Sequence, residues 1–344
     1  MSRFKGYYYR LLLQSGVYKK KAIPGYDFTI LTEKWARRES ICVGDHFIRG
    51  NKPAIDVSFC VPMYNVEDCI ETLLSEIACQ STKYFYEVIL VDDGSIDETA
   101  KRVKEFIADK PNFTYIYQEN SGIGAARNTA INHASGNYIT FVDSDDEICD
   151  GYIDILMDKA IQENADIVKG KYCLKRSGHL HQRGIAFGYI WGGVYRASLF
   201  DRIRFPVGYW YEDMINLFLV QPMADRSCTL DHNVIYHNDV VDSASKRQSK
   251  AISYQAIEDL YLVQSLANDY WKLGLKDKLY FEQRLLAECS HLMVNRTSLM
   301  DESVRVQIFL ACNELFEKYG ITSKHFTGVD RIFTEAILSK DFRA

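Results

Sequence analysis

The stretch "VSFCVPMYNVEDCIETLLSEIAC", residues 57–79, carries the pattern from which the fold of this chain can be predicted. It opens with a short apolar run that suits a buried strand and then passes through a polar turn. The residues after the turn place one apolar stripe at helical spacing: Val66, Ile70, Leu73, Leu74 and Ile77. A strand followed directly by an amphipathic helix predicts the start of a β-α-β unit.

The same pattern repeats along the next eighty residues. Apolar strand runs begin near residues 57, 87, 113 and 138, and helical patterns such as "DETAKRVKEFIAD" and "IGAARNTAINHA" separate them. Alternating units with continuous apolar strands predict an α/β fold with a mostly parallel central sheet and helices on both faces. Right-handed crossovers then bring the carboxyl ends of the strands to one edge, where open α/β sheets bind ligands.

Beyond this regular part, "DGYIDILMDKAIQENADIVKGKYCLK" predicts a further helix and strand. We expect a mobile connection over 171–190, which is rich in glycine, bases and histidine. "WGGVYRASLFDRIRF" and "YWYEDMINLFLVQPM" predict short helices, and "CTLDHNVIYHN" predicts a late strand. From about Ser253 the apolar residues recur at helical spacing, so the chain is expected to end in a helical appendage.

The domain organisation follows from these patterns. We expect a basic and aromatic N-terminal extension over 1–55, an α/β domain over 56–250 and a helical region over 251–344. The α/β domain divides into the halves 56–150 and 151–250, because the regular alternation ends near residue 150. Exposed apolar stripes on the helical region would favour a homodimer.

The composition excludes some classes of function. A net charge of −5 argues against a partner that is a nucleic acid bound by bulk attraction. The nine cysteines are scattered without a C-x-x-C pair, which predicts buried thiols in a reducing cytoplasm. No apolar run reaches the roughly 18 residues of a membrane span. The expected location is therefore cytoplasmic.

The first 21 residues, "MSRFKGYYYRLLLQSGVYKKK", interleave bases with tyrosines and leucines, and no acid precedes Asp27. We favour a basic arm that packs on its own domain. The alternative is a peripheral contact with the anionic inner face of the cell membrane.

Polar, glycine-bearing or acidic residues follow each of the first four strands: "VPMYNVED", "VDDGSID", "QENSGIGAARN" and "VDSDDE". Topology predicts that these ends lie side by side. Asp143-Ser144-Asp145 is a D-x-D sequence, and carboxylate oxygens suit Mg²⁺ or Mn²⁺ held together with substrate phosphates. A divalent cation would offset the repulsion within this acidic stretch. The alternative is a solvated acidic loop that caps the next helix.

In order and spacing, these motifs and the later "YWYED" resemble the family 2 glycosyltransferases with the GT-A fold. The resemblance spans about 57–245 and implies a hexosyl- or N-acetylhexosaminyltransferase of a bacterial cell-surface polysaccharide type. It implies inverting, metal-assisted transfer from a UDP-sugar donor to a saccharide or lipid-linked saccharide acceptor. The cofactor would be Mn²⁺ or Mg²⁺.

By this resemblance, 56–250 is a catalytic domain, with 56–150 as the nucleotide-sugar half and 151–250 as the acceptor half. The resemblance also implies roles for particular residues. Asp213 would be the general base, with Glu212 orienting it or the acceptor. Asp145 would be the chief metal ligand, and Asp143 would contact the ribose or the metal. His237 stands where relatives carry arginine or tyrosine, so a metal, phosphate-facing or structural role stays open. The expected nucleotide-sugar contacts are Pro62, Tyr64, Asn65, Glu67, Asp93, Gly122, Arg127, Asp143 and Ser144.

Two other functions fit parts of the sequence. "SGIGAAR" is similar to the glycine fingerprint of dinucleotide-binding dehydrogenases, but that fingerprint belongs after the first strand, and here it follows the third. A non-catalytic nucleotide-sugar or glycan-binding subunit of a polysaccharide-assembly complex could use the same fold. The presence of Asp93, Asp145 and Asp213 favours the enzyme. Trp191, Tyr209, Trp210 and Tyr211 could stack an acceptor sugar or could be core residues.

Overall fold

The computed structural model describes residues 42–44, 47, 55–176, 178–238, 256–297 and 302–340. These residues group into two compact units. The α/β unit contains 42–44, 47, 55–176, 178–238 and 268–275, and the helical unit contains 256–267, 276–297 and 302–340. The boundaries predicted at 55, 150 and 250 stay predictions.

The first half of the α/β unit has the predicted alternation. Its strands are β1 Val57–Met63, β2 Tyr86–Asp92, β3 Phe113–Tyr117 and β4 Tyr138–Phe141. The helices between them are α1 Ile70–Ala78, α2 Thr99–Ile107 and α3 Ile123–His133. β2 and β4 flank β1, β3 lies beyond β2, and all three pairings are parallel.

Burial explains why these segments fold as they do. Every residue of β1 and β4 is buried, as expected of strands covered on both faces. Helix α1 buries Ile70, Leu73, Leu74 and Ile77, four of the five residues of the predicted apolar stripe, while Val66 precedes the helix and is half-buried. These side chains belong to one core with β1 and β2. The 3.6-residue period thus places the helix on the sheet.

The second half turns the sheet from parallel to mixed. Its elements are β5 Glu147–Ile148, α4 Tyr152–Glu163, β6 Ile167–Arg176, β7 His179–Ile185, β8 Gly193–Arg196, a 3₁₀ turn Ala197–Phe200, a π-helical turn Asn216–Val220, α5 Gln221–Met223 and β9 Ser227–Asn238. In the described residues the strand order is β3-β2-β1-β4-β8-β6-β9-β5, with β7 beside β6. The late strand predicted from "CTLDHNVIYHN" is confirmed as β9.

Two expectations for this half were wrong. The segment 171–190 is not a mobile connection, because most of it is the antiparallel hairpin of β6 and β7. "WGGVYR" is not helical, since β8 pairs with both β4 and β6. Six of the seven residues of β7 are exposed, so the strand carries no apolar period and is held by its backbone pairing.

The helical unit is built as the sequence predicted. Its helices are α6 Ala256–Lys272, of which 256–267 belong to this unit, α7 Lys278–His291, α8 Glu302–Tyr319 and α9 Gly328–Leu338. Phe281 packs edge-to-face on Tyr319, with ring centres 5.0 Å apart, and the Asn313 side chain donates to the carbonyl of Ile337 at 2.9 Å. None of the helices in the described ranges combines the length and the apolarity that crossing a bilayer requires.

Only the end of the predicted N-terminal extension is described. Val43 forms an antiparallel bridge with Ile203, and the Gly44 N–H donates to the carbonyl of Arg202 at 3.0 Å. The guanidinium of Arg204 lies over the ring of Phe47 at 4.3 Å. This part of the extension packs on the α/β unit. The basic and aromatic segment at residues 1–21 lies outside the described residues.

Candidate active site

The carboxyl ends of the first strands meet at one edge, as the parallel topology predicts. In the register of the sheet, Met63 lies opposite Asp92, and Asp92 lies opposite Tyr117. Tyr64 and Asp93 therefore leave adjacent strands at the same level. The D-x-D sequence begins two residues after Phe141, the last residue of β4.

The loops after β1 and β2 are tied to each other by hydrogen bonds. Asn65 has the left-handed φ of 51° that asparagine tolerates, and its side chain accepts from the Ile96 N–H at 2.9 Å. The Glu67 carboxylate accepts from the Glu98 N–H, at the start of α2, at 2.7 Å. Asn65 and Glu67, which were predicted to contact the nucleotide, therefore also hold the loop after β2 in place. Next to them, Pro62 is buried and Tyr64 is 49% exposed, so a flat ligand can reach the Tyr64 ring.

Asp93 is a buried carboxylate that organises the next loop. One oxygen accepts from the Gln118 side chain at 2.7 Å and from the Ser121 N–H at 2.9 Å. The other accepts from the N–H of Gly122, the residue directly before α3, at 2.8 Å. A carboxylate has about four lone-pair sites, so one site stays available for a ligand N–H. Its negative charge also suits the N-terminus of α3.

Arg127 joins the D-x-D sequence to the Glu212-Asp213 pair. Its guanidinium donates from Nη2 to Asp143 at 2.8 Å and from Nη1 to Glu212 at 2.5 Å. The side chain is buried, and its face lies 5.4 Å from the centre of the Phe205 ring. Burial alone would lower the pKa of Arg127, but Asp143 and Glu212 hold that pKa above its ordinary value. The guanidinium is thus a permanent cation between two carboxylates.

Asp213 lies close enough to Arg127 for its charge to act on the guanidinium. It is half-buried, three residues before the π-helical turn begins, and its carbonyl accepts from the Asn216 N–H at 2.9 Å. Its charge favours the protonated forms of both Arg127 and Lys169, although burial lowers the pKa of Lys169 well below its ordinary value. The predicted base and the D-x-D sequence therefore share the neighbourhood of one arginine.

The chain's own cations offset most of the repulsion within the acidic stretch. Arg127 neutralises Asp143, and the Lys175 ammonium pairs with Glu147. His237 Nδ1 lies 2.8 Å from Asp146 Oδ1, and this bond raises the pKa of His237 even though partial burial alone would lower it. The imidazolium is the form that the contact favours.

These contacts leave two carboxylates of the stretch, the exposed Asp150 and the half-buried Asp145. Burial and the neighbouring charge of Asp143 raise the pKa of Asp145, and no ion pair holds Asp145 within the described part of the chain. Asp146 Oδ2 is also buried there without a hydrogen-bond partner. A cation at Asp145 would relieve the repulsion from Asp143, so this donor set fits a divalent ion held by carboxylate and phosphate oxygens.

The three predicted metal ligands, Asp143, Asp145 and His237, do not form one metal-binding group in the described residues. Across the described residues, no three His, Cys, Asp or Glu side chains come together as a metal-binding group. Asp143 contacts Arg127, and His237 contacts Asp146 and stacks on Trp191 with ring centres 5.6 Å apart. Metal ligation by Asp143 and His237 stays a prediction. The buried Ser144 contributes its carbonyl to a 3.8 Å contact from the Cys69 thiol.

Gly122, directly before α3, and Gly124, within it, differ in what surrounds them. Gly122 has the left-handed φ of 88° and open space where a side chain would lie. At Gly124, an added Cβ would lie 2.4 Å from the Pro206 carbonyl oxygen and 3.5 Å from Glu212 Cβ. The close approach at Gly124 is therefore made by the segment that leads to the Glu212-Asp213 pair.

Replacing Gly124 by alanine should push Pro206 away from α3 and displace Glu212 and Asp213. We expect sugar transfer to fall at least tenfold and the free energy of unfolding to fall by about 1–3 kcal/mol, as for other overpacked sites. Steady-state rates and thermal melting measure the two effects. Gly184→Ala is the matched control, because an added Cβ meets open space there. Equal activity of the two variants would contradict this packing argument.

Sequence reasoning named Trp191 as a stacking or core residue but missed Tyr189, Tyr172 and His237, the rings that pack against it beside the site. Tyr189 lies on Trp191 with ring centres 4.4 Å apart, and Tyr172 meets Trp191 edge-on at 5.1 Å. Trp191 is buried between Tyr189 and His237, so the exposed face of the stack belongs to Tyr189. The aromatic density of "FGYIWGG" was the available signal. Tyr209, Trp210 and Tyr211 lie half-buried in the segment before Glu212.

A buried polar network holds the loop that carries this stack. The Lys169 ammonium donates to the carbonyls of Tyr189, at 3.0 Å, and of Trp191. The Asn216 side chain donates to the Tyr189 carbonyl at 2.8 Å. Burial lowers the pKa of Lys169 well below its ordinary value, and Asp213 opposes that effect. The loop is therefore anchored to β6 and to the π-helical turn.

Comparisons with known proteins agree with this geometry. Residues 58–202 match the family model described as glycosyl transferase family 2. Glycosyltransferase GlyA of Streptococcus pneumoniae is 28% identical over 328 residues, which cover 80% of this chain and 46% of GlyA. The uncharacterized glycosyltransferase YibD of Escherichia coli is 26% identical over 247 residues, which cover 62% of this chain and 72% of YibD. This chain thus spans about half of the length of GlyA.

The crystal structure of S. aureus TarS 1–349 in complex with UDP-GlcNAc has a similar fold. Its TM-score is 0.53 at 21% identity, and the match covers 84% of this chain and 93% of that chain. At this identity the likeness concerns the fold, which in both chains is the mixed sheet with helices on its two faces. The region from β1 to β8 thus matches the family 2 glycosyltransferase model, and the chain has the GT-A fold.

Proposed function

We propose that this enzyme is an inverting, metal-assisted glycosyltransferase that moves a hexosyl or N-acetylhexosaminyl group from a UDP-sugar to a saccharide or lipid-linked saccharide. The observation that carries the proposal is the Arg127 bridge, which links Asp143 to Glu212 and so joins the donor and acceptor halves. The UDP-GlcNAc bound to TarS supports a uridine donor. A polysaccharide of the cell envelope is the proposed setting.

The donor would lie along the carboxyl edge of β1, β2 and β4. Tyr64 offers its exposed ring to the uracil, and Asp93 offers its remaining lone pair to the ring N–H. Asp145 would hold Mn²⁺ or Mg²⁺ together with the diphosphate oxygens. The ion would supply Lewis-acid stabilisation of the negative charge on the leaving diphosphate.

The chemistry assigned to the protein is the removal of one proton. The acceptor oxygen attacks the anomeric carbon on the face opposite the diphosphate, and the bond from that carbon to the diphosphate oxygen breaks. Asp213 takes the proton from the acceptor hydroxyl. Glu212, fixed by Arg127 at 2.5 Å, orients the segment that presents Asp213. The products are the glycosylated acceptor and UDP.

Replacing Asp145 by asparagine should abolish the metal dependence of UDP release. In wild-type enzyme, Mn²⁺ with a UDP-sugar should raise the melting temperature and release UDP, slowly even to water. The variant loses the carboxylate that we assign to the ion, so we expect at least a hundredfold slower release and no added stabilisation by Mn²⁺. A coupled UDP assay and thermal melting with UDP-glucose, UDP-galactose, UDP-GlcNAc and UDP-GalNAc measure both effects.

The control for this experiment is Asp150→Asn, an exposed carboxylate of the same acidic stretch. It should keep both the Mn²⁺-dependent release and the stabilisation. UDP release by Asp145→Asn at the wild-type rate would overturn the metal assignment. Nucleotide binding without turnover in the wild type would instead favour the glycan-binding subunit. The homodimer and the N-terminal membrane contact stay predictions, which light scattering and vesicle sedimentation can test.

A further inference from the structure

The Asp93 residue is fixed through both its backbone and its carboxylate. Its backbone N–H donates to the carbonyl of Met63, the last residue of β1, at 2.8 Å. Its carboxylate oxygens accept from the Gln118 side chain and from the N–H groups of Ser121 and Gly122, at 2.7–2.9 Å. The side chain is buried. The direction of the remaining carboxylate lone pair is therefore set by the fold.

Of the three groups that donate to Asp93 in the described part of the chain, Gln118 supplies the one side chain, and Thr129 fixes it. Gln118 follows β3 directly, and its backbone N–H donates to the carbonyl of Asp92 at 2.9 Å. The hydroxyl of Thr129, on α3, donates to Gln118 Oε1 at 2.6 Å. Two hydrogen bonds thus connect α3, through the end of β3, to the carboxylate at the end of β2. We call Thr129 and Gln118 the amide relay.

The chemistry of the amide relay allows one orientation of the Gln118 amide. An ionised carboxylate only accepts hydrogen bonds, so the NH₂ group of Gln118 has to face Asp93. A reversed amide would set two acceptor oxygens 2.7 Å apart. The Gln118 carbonyl oxygen therefore faces Thr129, and the Thr129 hydroxyl holds the amide in the position from which it donates to Asp93.

A fixed lone pair on Asp93 distinguishes bases that the Tyr64 ring does not. Aromatic stacking tolerates any base, because every base has a π-face. The exposed ring of Tyr64 therefore suits uracil and cytosine alike. At N3, however, uracil carries an N–H, whereas neutral cytosine carries a lone pair. A fixed acceptor pairs with the uracil N–H and repels the cytosine nitrogen, which leaves a buried acceptor unpaired.

We propose that Thr129 and Gln118 are positioning residues that set the base specificity of the donor site, by directing the open lone pair of Asp93 at the ring N–H of uracil. This inference rests on the proposed function, because it concerns the base of the same UDP-sugar donor. Without the amide relay, the carboxylate keeps only its bonds to backbone N–H groups and can turn. A carboxylate that turns accepts from the amino group of cytosine as well, so discrimination between the two bases falls.

Calorimetric binding of two nucleotides tests this proposal. The probes are UDP and CDP, each with Mn²⁺, because their pyrimidine rings have the same size and differ at the edge assigned to Asp93. Wild-type protein should bind UDP about 20-fold or more tightly than CDP, since a site built to pair a ring N–H rejects the base that lacks it. Thr129→Val and Gln118→Met should each reduce this ratio about fivefold or more, because each removes a hydrogen bond that holds the carboxylate.

Three further variants separate positioning from stability. Thr129→Ser keeps the hydroxyl and should restore the ratio that Thr129→Val loses. Thr72→Val makes the same change at an exposed position of α1 and should leave the ratio unchanged. Gln80→Met should also leave it unchanged, because this half-buried glutamine donates to the carbonyls of Glu76 and Cys149 instead. Circular dichroism and melting temperature establish that each variant is folded.

Three results would overturn the inference. The first is equal affinity of the wild type for UDP and CDP, and the second is an equal loss of both nucleotides in Thr129→Val and Gln118→Met, which would assign the amide relay to stability alone. The third is a failure of Thr129→Ser to restore the ratio. UDP release from a UDP-sugar is measured separately in wild-type enzyme. Its absence would remove the proposed function and this inference with it, whereas release with an unchanged ratio in both variants would remove only this inference.

Discussion

Asp213→Asn is expected to reduce sugar transfer by about 10²- to 10⁴-fold while leaving the affinity for the UDP-sugar nearly unchanged. The amide cannot accept the proton of the acceptor hydroxyl, and general-base catalysis accounts for an effect of that size. The substitution keeps the shape of the side chain. We assign no donor contact to Asp213, so ground-state binding of the nucleotide should persist.

The measurement for Asp213→Asn separates binding from chemistry. Initial rates of UDP release give kcat, and the UDP-induced rise in melting temperature reports nucleotide binding. Asp225→Asn is the matched control, because this exposed aspartate lies on the same segment, beyond α5. Equal rates of UDP release by wild type and Asp213→Asn would remove the base assignment. Loss of nucleotide binding in the variant would place Asp213 in the donor site instead.

The parallel half of the fold could be predicted because its signals are local. Each strand from β1 to β4 is a continuous apolar run, and each intervening helix has its own stripe. Parallel topology then brings the strand ends together without further information. For this reason Asp93 and Asp143 could be placed at one edge from the sequence alone.

The hairpin of β6 and β7 could not be predicted in the same way. Strand β7 is nearly all exposed, and its composition of histidine, glycine and arginine is typical of a loop. Its strand conformation depends on hydrogen bonds to β6, which no side-chain pattern records. Trp191 was named from the sequence, but its ring partners could not be predicted for a related reason, since the contact of Trp191 with His237 joins residues 46 positions apart.

The ion-pair partners of the acidic residues also could not be predicted from the sequence. Proximity to the nucleotide was predicted for Arg127, yet the structure gives it Asp143, 16 positions away, and Glu212, 85 positions away. The D-x-D repulsion was expected to need a divalent cation. In the structure Arg127, Lys175 and His237 offset most of it, which leaves Asp145 as the carboxylate for an ion. Spacing along the chain carries no information on such pairings.

Arg127→Met is expected to destabilise the α/β unit by about 3–5 kcal/mol and to abolish transfer. The substitution leaves Asp143 and Glu212 partly buried with their shared cation removed, and uncompensated charges at such sites are costly. For a unit of this size the melting temperature should fall by roughly 6–20 °C. Denaturant unfolding followed by circular dichroism measures the change in free energy.

Two comparisons decide whether the bridge itself is responsible. Arg102→Met removes an exposed arginine that lies 3.2 Å from Glu71, and loss of such a surface pair should cost less than about 1 kcal/mol. The triple variant Arg127→Met, Asp143→Asn, Glu212→Gln replaces the whole network by neutral groups and should regain much of the lost stability while staying inactive. If Arg127→Met is no less stable than Arg102→Met, the guanidinium does not hold the two halves together. If the triple variant is as unstable as the single one, lost packing against Phe205 rather than unpaired charge explains the effect.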